Sequence, residues 1–235
     1  MHPGLLPVCP GRLCAQGACP MNYITQPQQI EQESFVIIGD IVRAERPDYR
    51  FASELHEKII KRAIHTTADF DWLDILTFSP DALECIEASL RAGATLYTDT
   101  TMALSGINKT RLAEWGCEVK CFVAHPEVAE VAKAKGITRS MAAVDLAMSQ
   151  PGPKLFVFGN APTALFRLLE ICHDDPALIC PVIGVPVGFV GAAESKQALA
   201  ESPLPHIAAL GRKGGSNVAA AIVNAILYHL SQARS

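Results

Sequence analysis

Residues 154–170, KLFVFGNAPTALFRLLE, decide how this chain folds. Leu155-Phe156-Val157-Phe158 is a short run with no polar member, the pattern of a strand buried on both faces of a parallel sheet. Gly159-Asn160-Ala161 turns the chain, and Pro162 suits the first turn of a helix, where a missing N–H costs nothing. Leu165, Leu168, Leu169 and Cys172 then recur on one helical face. A strand end, a turn of small residues and a helix start leave unpaired N–H groups and a partial positive charge at one point. Open α/β sheets bind anionic ligands at such points. Gly159, Asn160, Ala161 and Thr163 are therefore candidate ligand contacts, although an ordinary strand–helix turn has the same pattern.

Outward from this stretch, the alternation continues. Towards the C-terminus, residues 178–185 read as an apolar strand. The glycine-bearing loop PVGFVGAAESK (186–196) follows, carrying Gly188 and Lys196 as candidate substrate contacts, and a helix runs on to about residue 200. A last strand at 206–210 leads to the basic loop GRKGGSN (211–217) and a C-terminal helix over 218–230. Towards the N-terminus, a helix starts at Arg139 and runs to 149, after a strand at 118–124 and a helix at 127–135. A strand at 95–98 closes on Asp99, with a short helix or turn at 102–107 holding Met102 and Gly106. Helices are expected at 80–91, started by Ser79-Pro80-Asp81, at 47–64, and at 30–41. Strands alternating with helices predict an α/β protein with a doubly wound, mostly parallel sheet and helices on both faces. The loops at 159–163, 186–196 and 211–217 then open to one side of the sheet.

Composition agrees. The 235 residues are 49% apolar and 19% charged, enough to bury one large core. A net charge of −4 argues against nucleic-acid binding, and no apolar run reaches the length of a membrane span. The eight cysteines show no CxxC pair and no Cys/His spacing suited to zinc, so no metal site is expected. Free thiols in a reducing cytoplasm fit better. Residues 1–20, rich in Pro, Gly and Cys and without period, read as a disordered extension, with Met21 a candidate natural start. Residues 21–235 read as a single domain.

Several side chains carry potential chemistry. His65 ends the 47–64 helix one turn after Arg62, with Thr66, Thr67 and Asp69 close enough in sequence to orient it; histidine gains or loses a proton near neutral pH. Arg139 stands at a helix start, where a cation opposes the dipole, so it calls for an anion. Asp99 at a strand's carboxyl end lies on the usual ligand side, or else is a buried cap. Ser34 sits on a helix, where a hydroxyl commonly bonds its own backbone. Neither a GxGxxG nor a GxxxxGK[ST] spacing occurs, and there is no GxSxG elbow. The ligand implied is bulky and polyanionic.

GNAPTAL at 159–165, PVGFVGAAESK at 186–196 and GRKGGSN at 211–217 occur in an order that resembles the precorrin-8X (cobalt-precorrin-8) methylmutases. Glu33-Ser34-Phe35, Arg62 with His65, Asp99 with Met102 and Gly106, and Thr138-Arg139-Ser140 match that family's earlier motifs. The resemblance covers roughly residues 30–230. It implies a flavodoxin-like three-layer sandwich acting as a homodimer with its site near the interface. It also implies an isomerase that moves a methyl group between neighbouring ring-C carbons of a corrin precursor in cobalamin biosynthesis. By the same resemblance His65 is catalytic, and Ser34, Arg62 and Arg139 contact substrate. No cofactor is implied: the methyl group is internal, and cobalt enters only as part of the substrate. The partners implied are the corrinoid substrate and product and, for handover, neighbouring pathway enzymes. The chain departs from the family pattern at Glu33, where an arginine usually precedes the Ser-Phe pair. The Thr66-Thr67-Ala68-Asp69 run is closer to the anaerobic branch. A flavodoxin-like module for a phosphate-bearing cofactor is a rival, but two Trp and four Tyr offer little to stack a flavin. A non-catalytic tetrapyrrole carrier is the other rival.

Overall fold

A computed structural model describes residues 24–233; the expected extension at 1–20 and its cysteines lie outside the described residues. In chain order the elements are α1 (Pro27–Glu45), α2 (Glu54–Thr67), α3 (Trp72–Ile75), β1 (Leu76–Phe78), α4 (Ala82–Arg91), β2 (Thr95–Thr98), α5 (Thr101–Gly106), α6 (Lys109–Ala113) and β3 (Glu118–Lys120). There follow α7 (Pro126–Lys135), α8 (Arg139–Ser149), β4 (Lys154–Phe158), α9 (Pro162–Asp174), β5 (Val182–Gly184), α10 (Ala192–Ala200), β6 (His206–Ala209) and α11 (Ser216–Gln232).

The strands form one sheet in the order β1-β6-β5-β4-β2-β3. All pairings are parallel except β1 with β6. Helices cover both faces, as expected for an α/β sandwich. The alternation of β4 builds the two layers: Leu155 and Val157 face the core shared with α1, α2, α4 and α11, whereas Phe156 and Phe158 face α8, α9 and α10. In β6, Ile207 and Ala209 point to the first layer and Ala208 to the second.

The structure differs from the sequence reading at several boundaries. The antiparallel edge strand β1 and the short α3 were not expected. β1 is only three residues long, too short for a readable alternation, and pairing with β6 makes it a strand. The strand expected over 118–124 stops at Lys120, because the chain turns back with His125 N–H bonded to Phe122 O at 2.9 Å. The strand expected from 178 begins at Val182. Before it, Asp175 holds a turn through Ala177 and Leu178, and Pro181 has no N–H to give. α2 begins at Glu54 rather than 47, because Ser53 is the true cap, accepting the N–H of His56 at 3.1 Å. α4 begins at Ala82, with Ser79 and Pro80 in the turn before it. No helix among the described residues is long and apolar enough to cross a membrane, and Cys85, Cys117, Cys121, Cys172 and Cys180 are free thiols.

Candidate active site

The parallel strands β2, β4, β5 and β6 all end on one side, and the loops that leave them are bonded to one another. Asp99, 5% exposed after β2, accepts the N–H groups of Gly159 at 3.0 Å, Asn160 at 2.7 Å and Ala161 at 2.6 Å. Burial raises its carboxyl pKa, and the three donors offset only part of that rise. The donors expected to meet a ligand thus meet a carboxylate of the protein itself, so Asp99 is the buried cap, and Gly159, Asn160 and Ala161 present no free N–H. Gly159 serves close approach instead. A methyl group there would stand 2.6 Å from Ser216 Cα, at the start of α11. Thr100 and Ser216 hydroxyls bond at 2.7 Å across the same junction.

The second and third loops continue the lacing. Val187 N–H reaches Gly159 O, Gly188 N–H reaches Arg212 O, and Gly215 N–H reaches Val185 O. Lys196 lies beneath them, 0% exposed, with its ammonium donating to Lys213 O at 2.6 Å. Burial lowers its pKa to about 8. The expected substrate contact at Lys196 is therefore a buried support for the 211–217 loop. Above it the loop 186–191 exposes Phe189 (86%) and Val190 (90%), and Met102 on α5 is 68% exposed.

His65 stands in the last turn of α2, exposed, with its ring tilted against Phe35 at 5.4 Å between centroids. It lines a cavity of about 260 Å³ with Arg62, Thr66, Gly106, Asn217 and Asn224. Its expected neighbours bond elsewhere. Thr67 Oγ1 donates to Ala63 O and accepts from Trp72 Nε1, and Asp69 pairs with Lys213. Both ring nitrogens of His65 lack a hydrogen-bond partner among the described residues. Arg62 donates to Glu31 at 2.6 Å, and its guanidinium lies 5.0 Å from the Phe35 ring and 4.8 Å from the Tyr228 ring. It also lines an adjoining cavity of about 470 Å³ between α1, α2 and α11. Gly106 lets α5 close onto α11, since a Cβ there would come 2.8 Å from that of Ala220.

Arg139 and Thr163 lie in the other helix layer, at the starts of α8 and α9. Thr138 caps α8 by accepting Met141 N–H, and its hydroxyl lies 3.1 Å from that of Thr163. Arg139 itself is exposed and has no ion pair among the described residues. Ser34 donates to Ile30 O at 2.7 Å, the local backbone bond that a helix hydroxyl favours, and lines neither cavity.

The sequence reading passed over Asn217, Asn224 and Tyr228. Asn224 joins α5 to α11, donating to Gly106 O and accepting Asn108 N–H, both at 2.8 Å. A polar residue inside the apolar run VAAAIVNAIL was the signal for it.

The comparisons with known proteins bear on this arrangement. The family model for precorrin-8X methylmutase matches residues 29–229. A cobalt-precorrin-8 methylmutase of Salmonella typhimurium is 66% identical over 91% of this chain and 100% of its own length. A precorrin-8X methylmutase of Sinorhizobium sp. is 38% identical over 87% of this chain and 96% of its own. The solved structure of precorrin-8x methyl mutase from Thermus thermophilus, 37% identical, superposes with a TM-score of 0.77 over 88% of this chain and 97% of that one. The match runs through both helix layers, the laced loops and the His65 cavity, and on that extent of likeness the chain belongs to the precorrin-8X methylmutase family.

Proposed function

We propose that this chain is an isomerase of cobalamin biosynthesis that shifts a methyl group between neighbouring ring-C carbons of (cobalt-)precorrin-8, giving hydrogenobyrinate or cobyrinate, with His65 as the proton donor. The observation that carries the role of His65 is its unpartnered imidazole beside Arg62 in the α2–α11 cavity. Protonation of the macrocycle makes the migration downhill. The methyl moves to the adjacent carbon, a proton lost from the macrocycle restores the histidine, and no atom is gained or lost. Histidine, which takes up and gives back a proton near neutral pH, suits both transfers. Arg62 and Arg139 supply cations for the substrate's carboxylates. No resident cofactor is needed, since the migrating group is already on the substrate.

Exposed apolar side chains support a homodimer closing over this edge: Val36 and Ile37 on α1, Met102 on α5, and Phe189 and Val190 between β5 and α10. The Thr66-Thr67-Ala68-Asp69 run and the cobalt-precorrin relatives favour the cobalt-bearing substrate. The test is His65→Ala, with turnover of metal-free and cobalt-bearing precorrin-8 followed by visible absorbance without added cofactor. Wild-type protein should convert at least one substrate, and the variant should lose at least about a hundredfold in rate while still binding product. Near-normal turnover by the variant would remove His65 from the chemistry and favour a carrier or another acid.

A further inference from the structure

Lys213 donates from its ammonium to Asp69 and, at 2.6 Å, to Asp71, both in the turn that directly follows α2. His65 occupies the last turn of that helix. The same residue is fixed from below, because its carbonyl accepts the ammonium of the wholly buried Lys196. Residue 213 is thus held at its backbone by α10 and at its side chain by the α2–α3 turn. The turn is itself closed and specific. Asp69 Oδ1 accepts Asp71 N–H at 3.0 Å, and Ala68 takes a left-handed conformation with φ 53°, which a residue with a Cβ adopts at a cost. Four residues beyond Lys213, Asn217 helps to line the same cavity as His65.

We infer that Lys213 is a positioning residue: its clasp on Asp69 and Asp71 holds the 211–217 loop, and with it Asn217, against the helix end carrying His65. The inference rests on the reading of His65 as proton donor. Stability does not explain the clasp. Lys213 is half-exposed, Asp71 mostly exposed and Asp69 partly buried, and pairs this open to water add little. α2 is anchored independently by Ile59, Ile60, Ala63 and Ile64, all buried in the core. What the clasp constrains is the placement of the 211–217 loop, and so of Asn217, relative to the proton-transfer group; rates are steeply sensitive to such placement, and a misplacement of about 1 Å costs up to about a hundredfold.

The experiment compares K213M, K213R and the double variant D69N/D71N in the full chain. It measures kcat and KM for cobalt-precorrin-8, the Kd of hydrogenobyrinic acid by absorbance titration, and Tm. K213M and D69N/D71N should each lower kcat roughly ten- to hundredfold, with KM, Kd and Tm close to wild type. K213R, which can still bridge both carboxylates, should recover most of the rate. In an H65A background K213M should cause no further loss. A rise in KM and Kd with kcat held would make Lys213 a substrate contact and overturn the inference. So would unchanged kinetics, a loss confined to K213M, or a loss that tracks a fall in Tm. Normal turnover by H65A alone would instead defeat the His65 reading, a separate failure.

Discussion

Asp99 Oδ2 accepts the N–H of Asn160 at 2.7 Å, inside the turn where β4 passes into α9. Gly159 and Ala161 donate to the same carboxylate, so the anion held at this helix start belongs to β2 rather than to a ligand. The three bonds lock two neighbouring strand ends together and set Gly159 against Ser216. Asp99→Ala should leave three backbone donors without their carboxylate, two of them buried, and lower unfolding stability by about 2–4 kcal/mol. Asp99→Asn should not restore it, because the amide turns a donor group towards donors. Urea unfolding measures both, and wild-type stability in the alanine variant would show that the carboxylate does not organise the turn.

Lys196 makes a pH-dependent contribution of known sign. Its ammonium is buried, and its pKa falls from 10.5 to about 8. Below pH 8 the folded and unfolded chains are both protonated, and the fold bears the full cost of burying the charge. Between about 8 and 10.5 the folded chain sheds that proton while the unfolded chain keeps it, so stability rises with pH. Lys196→Met removes the titration. The stability of wild type minus that of the variant should therefore climb by about 2–3 kcal/mol from pH 7.5 to pH 10.5 in denaturant unfolding. A difference that stays flat would mean that Lys196 titrates normally in the fold.

Arg139 sits at the first position of α8, exposed, with no ion pair among the described residues. A cation there opposes the helix dipole, which makes sense if a substrate carboxylate meets it. Arg139→Ala should weaken corrinoid binding by about 1.5–3 kcal/mol, the worth of one charged hydrogen bond. Tm should hold or rise slightly, since a charge unfavourable to the helix is gone. Absorbance titration with hydrogenobyrinic acid and a thermal melt check the two halves, and unchanged affinity would take Arg139 out of the site.

How legible the site was varied with the kind of interaction involved. His65, Arg62 and Gly106 were readable as motif members, and the fold brings them to one cavity. Asp99 was readable as a cap or a ligand contact, and only its three short bonds decide for the cap. Lys196 read as a substrate contact at the end of a glycine-bearing loop; its burial follows from α10 packing beneath residues 211–215. The orienting role given to Asp69 failed because its partner, Lys213, lies far along the chain.

By itself the sequence determined the layering. Leu155-Phe156-Val157-Phe158 is apolar throughout because both faces of β4 are covered, and local periodicity carries that information. The spacing of Leu165, Leu168 and Leu169 did the same for α9. The tertiary structure decided which polar groups meet: Asp99 with the 159–161 backbone, Lys196 with Lys213 O, Lys213 with Asp69 and Asp71, and Asn224 with Gly106. The physical reason is range. Burial is a property of each residue's own pattern along the chain, whereas a hydrogen bond depends on two groups arriving within about 3 Å of each other. When those groups are tens of residues apart, only the packed sheet and its helices bring them there.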